Sequence, residues 1–139
     1  MTSAGLARSY LAKARARLEA LAVLRNHEAH SDVVREAQEL VELALKGMLR
    51  AVGVEPPKIH DVGPLLIEHT ALFVPDARPD LQRAATISKR LRRDRELSFY
   101  GDVDFIPTEA YTAADAKQAY DEAAWVVRLA AHVIDHGAP

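Results

Sequence analysis

In the second half of the 139-residue chain, Lys89-Arg90-Leu91-Arg92-Arg93-Asp94-Arg95 places five cations in seven residues. Glu96-Leu97-Ser98-Phe99-Tyr100-Gly101-Asp102 follows directly. Cations at this density attract phosphate groups or cover a solvated face. Arg95 differs from its neighbours because it lies one turn beyond Leu91 on the apolar side of a helical repeat. Its guanidinium is therefore expected to face the interior or a cleft. A guanidinium in that position needs a carboxylate or an anionic ligand, and spacing alone leaves both open. Arg92, Arg95, Tyr100 and Asp102 are candidate contacts for a phosphate-bearing ligand, with Arg92, Arg93 and Arg95 expected to border one concave surface.

Other residues could take part. Glu42 and Lys46 stand i,i+4 in the favourable order, so Lys46 is either a phosphate contact or half of an ion pair. His60-Asp61 follows a Pro56-Pro57 break; His60 is a candidate ligand contact, and Asp61 suits a helix cap. The pairs His27/His30 and His132/His136 each place two imidazoles on one helical face, but no third ligand accompanies either pair. No metal site is assigned, and no cofactor is expected. Glycine-rich phosphate loops, H-E-x-x-H and G-x-S-x-G are absent from the chain.

Long helices are required to position these groups. Apolar residues recur with a 3.6-residue period over about 4–27, 32–53, 80–99 and 113–135. The clearest stripe is Val34, Ala37, Val41, Ala44, Leu45, Met48 and Val52, with Ser31 or Asp32 as the expected cap and Gly53 at the end. The third repeat reads Leu81, Ala84, Ser88, Leu91, Arg95. Thr112 with Asp115 resembles a capping box that opens the last helix, whose stripe is Ala116, Tyr120, Ala123, Val127, Ala130 and Ile134. Trp125 lies near that stripe and reads as core or as dimer interface. A short helix is expected over 61–69, with 56–61 and 101–112 irregular. Long helices on short connectors pack antiparallel, so the expected fold is all-α: an up-and-down four-helix bundle with one additional short helix. No repeat or linker divides the chain, and residues 1–139 read as one domain.

Composition agrees. Alanine accounts for 25 residues against 8 aromatics, which favours helix over sheet. Cysteine is absent, which excludes disulfides, thiol nucleophiles and thiolate zinc sites. The formal charge of −2 conceals strong segregation. Residues 8–25 carry five bases and one acid, 78–95 carry seven bases and two acids, and 102–135 carry seven acids and two bases. Nucleic acid is therefore permitted as a partner, and internal complementarity is the competing explanation. No apolar run approaches the roughly 20 residues of a membrane span, and the N-terminal residues lack a secretory pattern, so a cytoplasmic address without membrane association is expected.

Two blocks carry a family resemblance. The first is Arg35-Glu36-Ala37-Gln38-Glu39-Leu40-Val41-Glu42-Leu43-Ala44-Leu45-Lys46, followed by Pro56-Pro57-Lys58-Ile59-His60-Asp61 and onward to Leu66. The second is Arg95-Glu96-Leu97-Ser98-Phe99-Tyr100-Gly101-Asp102, with Ile106-Pro107 and Tyr111 to Ala116 after it. In order and spacing these blocks resemble the HEPN domains, named for higher eukaryotes and prokaryotes nucleotide-binding. The resemblance implies a helical bundle that forms a homodimer, binds nucleotide or RNA, and is paired with a minimal nucleotidyltransferase in a toxin–antitoxin arrangement. It also implies metal-independent endoribonuclease activity in many members, through an arginine followed after four to six residues by a histidine. Arg95 matches that arginine, whereas Tyr100 stands at the histidine position. A histidine moves protons near neutral pH, but a tyrosine of pKa about 10 is a poor base there. The favoured reading is therefore a nucleotide- or RNA-binding subunit. The alternative is a ribonuclease that uses Arg95 with Tyr100 in a degenerate motif.

Overall fold

The computed structural model describes residues 2–136. Among them are seven α-helices: α1 (Thr2–Asn26), α2 (His30–Ala51), α3 (Gly63–Glu68), α4 (Leu81–Arg93), α5 (Arg95–Phe99), α6 (Pro107–Ala110) and α7 (Ala113–His136). The four long ones are those that the apolar periods predict, and the fold is an all-α bundle. No strand occurs among the described residues; Asp102 and Phe105 form an isolated bridge that closes a tight turn.

Helix α2 is the hub. Its whole predicted stripe, Val34 through Val52, is buried, and it packs against α1, α7, α5, α4, α3 and α6. Small residues set the spacing. A Cβ on Gly47 would lie 3.2 Å from Ile134 Cδ1 and 3.3 Å from Tyr10 Cβ, so the missing side chain lets α1 and α7 close on α2. The α7 stripe is buried as predicted apart from the half-buried Tyr120. Trp125 is half-buried against this core, with the Arg83 guanidinium 4.1 Å above its ring.

Local chemistry fixes several ends. Thr112 N–H donates to Asp115 Oδ2 (2.9 Å) and Asp115 N–H donates to Thr112 Oγ1 (3.2 Å), the reciprocal box expected at α7. Gly53 takes φ +86° after α2, and its N–H closes on the Arg50 carbonyl at 3.1 Å. The expected cap of α2 does not form. The helix begins two residues earlier, Ala29 occupies the cap position without a side-chain bond, and Ser31 is buried inside the helix. Burial of Val33 and Val34 against the bundle outweighs a solvent-side cap there. Asp61 is not the cap residue of α3, yet its Oδ1 accepts from Gly63 N–H (3.0 Å) and from Ser88 Oγ (2.8 Å), joining α3 to α4.

The third long helix is not continuous. It is interrupted at Asp94, which has φ −88° and ψ 0°, and α5 begins at Arg95. The segment 101–112, expected to be irregular, contains α6.

Candidate functional site

The break at Asp94 sends Arg95 onto α2. Its Nη1 donates to Gln38 Oε1 and to Glu39 Oε1, and the side chain is only 20% exposed. Arg35 also donates to Glu39 Oε1, at 2.7 Å, so two guanidiniums share one carboxylate. Burial raises the pKa of Glu39, but hydrogen bonds and charge from Arg95 and Arg35 outweigh it and hold the carboxyl below its ordinary value. Glu39 thus stays ionised, and the trio carries one excess positive charge.

A polar row continues along α2. Gln38 is buried, with its amide oxygen facing Arg95 and its Nε2 donating to Glu42 Oε1 (3.1 Å). Glu42 also receives Lys46 Nζ at 3.0 Å, and its Oε1 lies 2.9 Å from His60 Nδ1. The Glu42–Lys46 pair is no ordinary surface pair, since each side chain is 16% exposed. Arg95, Gln38, Glu42, Lys46 and His60 are therefore one hydrogen-bonded chain. Sequence spacing had left His60 unplaced relative to Arg95; the loop after Pro56-Pro57 carries it to the same face of α2.

The remaining candidates lie apart from this chain. Tyr100 is 78% exposed and stacks edge-on against Phe99, with ring centres 4.7 Å apart. Asp102 is committed to its own turn, where Oδ1 accepts from Val103 N–H at 2.6 Å. Arg92 is half-buried and makes no side-chain bond among the described residues, and Arg93 is largely exposed. The hollow nearest Arg95's partners, 570 Å³ in volume, is lined by Val23, Leu24, Asp32, Arg35, Glu36 and Phe99. Its cation is therefore Arg35, where spacing had placed Arg92 and Arg93. Arg35 lies 5.3 Å from the centre of the Phe99 ring.

Three residues of the centre, Arg35, Gln38 and Glu39, were not singled out from sequence. Two signals were available: Arg35 and Glu39 stand i,i+4, and Gln38 interrupts an apolar stripe between Val34, Ala37 and Val41. A polar amide on a buried stripe marks a place where something must bond to it.

Elsewhere, His132 Nε2 lies 3.1 Å from Asp76 Oδ2, and His136 Nδ1 lies 2.7 Å from the His132 carbonyl. Among the described residues no group of three His, Asp or Glu side chains is placed to hold a metal ion.

The fold and the centre together define a class: a helical bundle whose long second helix presents a partly buried polar row to an arginine at the start of a short following helix. The family model for the HEPN domain matches residues 7–133, and the chain belongs to that family. No curated protein and no solved structure matches it.

Proposed function

We propose that this protein is a nucleotide- or RNA-binding helical subunit that acts as a homodimer beside a minimal nucleotidyltransferase in a toxin–antitoxin-type pair. The observation that carries the binding role is the sharing of Glu39 by Arg35 and Arg95 next to the exposed Phe99 ring. The second guanidinium on Glu39 suits a phosphate, with Asp32 and Glu36 as the acids it must compete with in the neighbouring hollow, and the adjacent exposed Phe99 suits a stacked base. Family membership and the alanine-lined helix faces support the dimer.

A second reading, metal-independent RNA cleavage, draws support from His60. This histidine shares Glu42 with the Arg95 chain, so a group able to move protons near neutral pH stands on the same helix face. Tyr100 supplies no equivalent.

One assay separates the two. Wild type, Arg95→Ala, Tyr100→His and His60→Ala are compared, without divalent metal, for binding to a single-stranded oligoribonucleotide and for cleavage of total RNA. Arg95→Ala should weaken binding by about 1.5–3 kcal/mol, because a charge-assisted contact is lost. Affinity should also fall steeply with salt as counterions are released. Tyr100→His should raise cleavage above a low wild-type level. Robust wild-type cleavage abolished by both Arg95→Ala and His60→Ala would establish the ribonuclease reading instead. Unchanged binding in Arg95→Ala would remove the arginine from the site. Light scattering tests the dimer, and a mass near 15.3 kDa at every concentration would count against it.

A further inference from the structure

A second cationic centre lies at the far end of α2. A 420 Å³ hollow is lined there by Tyr10, Lys46, Arg50, Glu55 and Lys58, with Pro56 and Pro57 forming one wall. That volume falls within the range of about 300–1,000 Å³ typical of small-molecule sites. Its construction follows from the chain. Gly47 lets α1 approach closely enough to bring Tyr10 beside Arg50, whose guanidinium sits 5.6 Å from the ring centre. The left-handed Gly53 then turns the backbone back, and Val54 N–H bonds the Leu49 carbonyl at 2.9 Å. Two prolines stiffen the return and carry Lys58 to the rim.

Charge in this hollow is unbalanced. Lys46 is paired with Glu42, but among the described residues neither Arg50 nor Lys58 has a carboxylate within 4.0 Å. Arg50 Nε is shut off from solvent and has no hydrogen-bond partner among the described residues. A cation in the last turn of a helix is favoured by the helix dipole, which accounts for one positive residue there. It does not account for a hollow on which Lys46, Arg50, Lys58 and the Tyr10 ring converge with Glu55 as the one carboxylate in its lining. Lys46, Arg50 and Lys58 exceed Glu42 and Glu55 by one positive charge at this hollow, and an anion with several oxygens would offset it.

We propose that this hollow is a phosphate-binding pocket, separate from the Arg95 centre, in which Arg50 and Lys58 hold the anion and Tyr10 packs against the group that carries it. Glu39 and Arg50 are about three helical turns apart, roughly 16 Å along α2, so one phosphate cannot serve both centres. The phosphate can arrive on a free nucleotide or on an RNA strand, and the chemistry recognised is the same.

The test is an amide-resolved NMR titration of the full chain, followed at Tyr10, Val54 and Lys58. The probes are inorganic phosphate, AMP, adenosine, and a tetraribonucleotide with a 5′-phosphate or a 5′-hydroxyl. Phosphate and AMP should shift these amides and adenosine should not. A preference for AMP assigns the pocket to free nucleotide. A preference for the 5′-phosphorylated strand over its hydroxyl twin assigns it to an RNA end. Lys58→Glu alters an exposed side chain and should leave the thermal midpoint unchanged while weakening phosphate binding at least about tenfold. Arg50→Gln keeps the aliphatic stem over Tyr10 and should do the same. The proposal is overturned if no phosphate-bearing probe shifts these amides. It is equally overturned if adenosine matches AMP, or if binding survives in both variants. The readout lies three turns from Arg95, so failure of the RNA-binding reading leaves this result standing, and the converse also holds.

Discussion

Glu39 sets the charge of the Arg95 centre. It is a single carboxylate bonded by two guanidiniums, and together they hold its pKa down. A depressed folded-state pKa contributes stability that is complete above the ordinary carboxylate value. That contribution is lost as pH falls through the lower folded value. Acid titration of the thermal midpoint should therefore show a falling limb in the wild type that is reduced in Glu39→Gln. At neutral pH the same substitution should lower stability by about 1–3 kcal/mol, since two partly buried guanidiniums lose their charged partner. It should at the same time strengthen binding of an oligoribonucleotide, because the counter-charge is gone; weaker binding in Glu39→Gln would contradict the assignment of spare positive charge.

Among the elements, α3 and α4 are held by a backbone approach as well as by the Asp61 bonds. An added Cβ on Gly63 would fall 2.9 Å from the Ala85 Cα, which is backbone and cannot yield as a flexible side chain would. Gly63→Ala should thus cost about 1–3 kcal/mol in chemical denaturation, with α3 and the loop bearing His60 loosened first. At this scale the limits of sequence reading are also plain. Helices α1, α2 and α7 were legible because each buries a long stripe, and the Thr112–Asp115 box marked a boundary. The break at Asp94 was not legible, because Leu81 to Arg95 keeps the helical period across it. Across that break Arg95 bonds Gln38 and Glu39, more than fifty positions earlier, and no local pattern encodes such a long-range partner. For the same reason the sequence identified Arg95, Lys46 and His60 singly but not Gln38, the buried amide that links them. Tyr100 and Asp102 were adjacent in sequence to Arg95, and adjacency did not carry over into contact.

For the molecule as a whole, α2 is both the centre of the core and the backbone of the polar row. Its two roles meet at Gln38, which is buried on the core stripe and bonds both Arg95 and Glu42. Leu40, Leu45 and Met48 are fully buried, while Arg35, Glu39, Glu42 and Lys46 run along the partly exposed side. Leu45→Ala should therefore cost about 2–5 kcal/mol in equilibrium unfolding. Below the new midpoint it should leave oligoribonucleotide affinity within a factor of about two, since the proposed contacts Arg35 and Arg95 lie about two helical turns or more from Leu45. A large affinity loss in fully folded Leu45→Ala would mean that the row depends on core packing more closely than its geometry implies. Among the described residues no helix is long and apolar enough to cross a membrane.

The turn after Tyr100 has a consequence for how this chain can vary. Gly101 sits at φ +71°, and a Cβ there would fall 2.4 Å from the Phe105 carbonyl oxygen and 2.5 Å from Pro107 Cδ. Its neighbours are the reverse: Tyr100 is 78% exposed and Val103 is 90% exposed. In a saturation library selected for folding, position 101 should return a single allele, while columns 100 and 103 accept nearly anything. Drift at position 100 is then nearly free of structural cost, while the bend that displays it stays invariant. The side chain that this bend displays can therefore change in one substitution without the fold registering it.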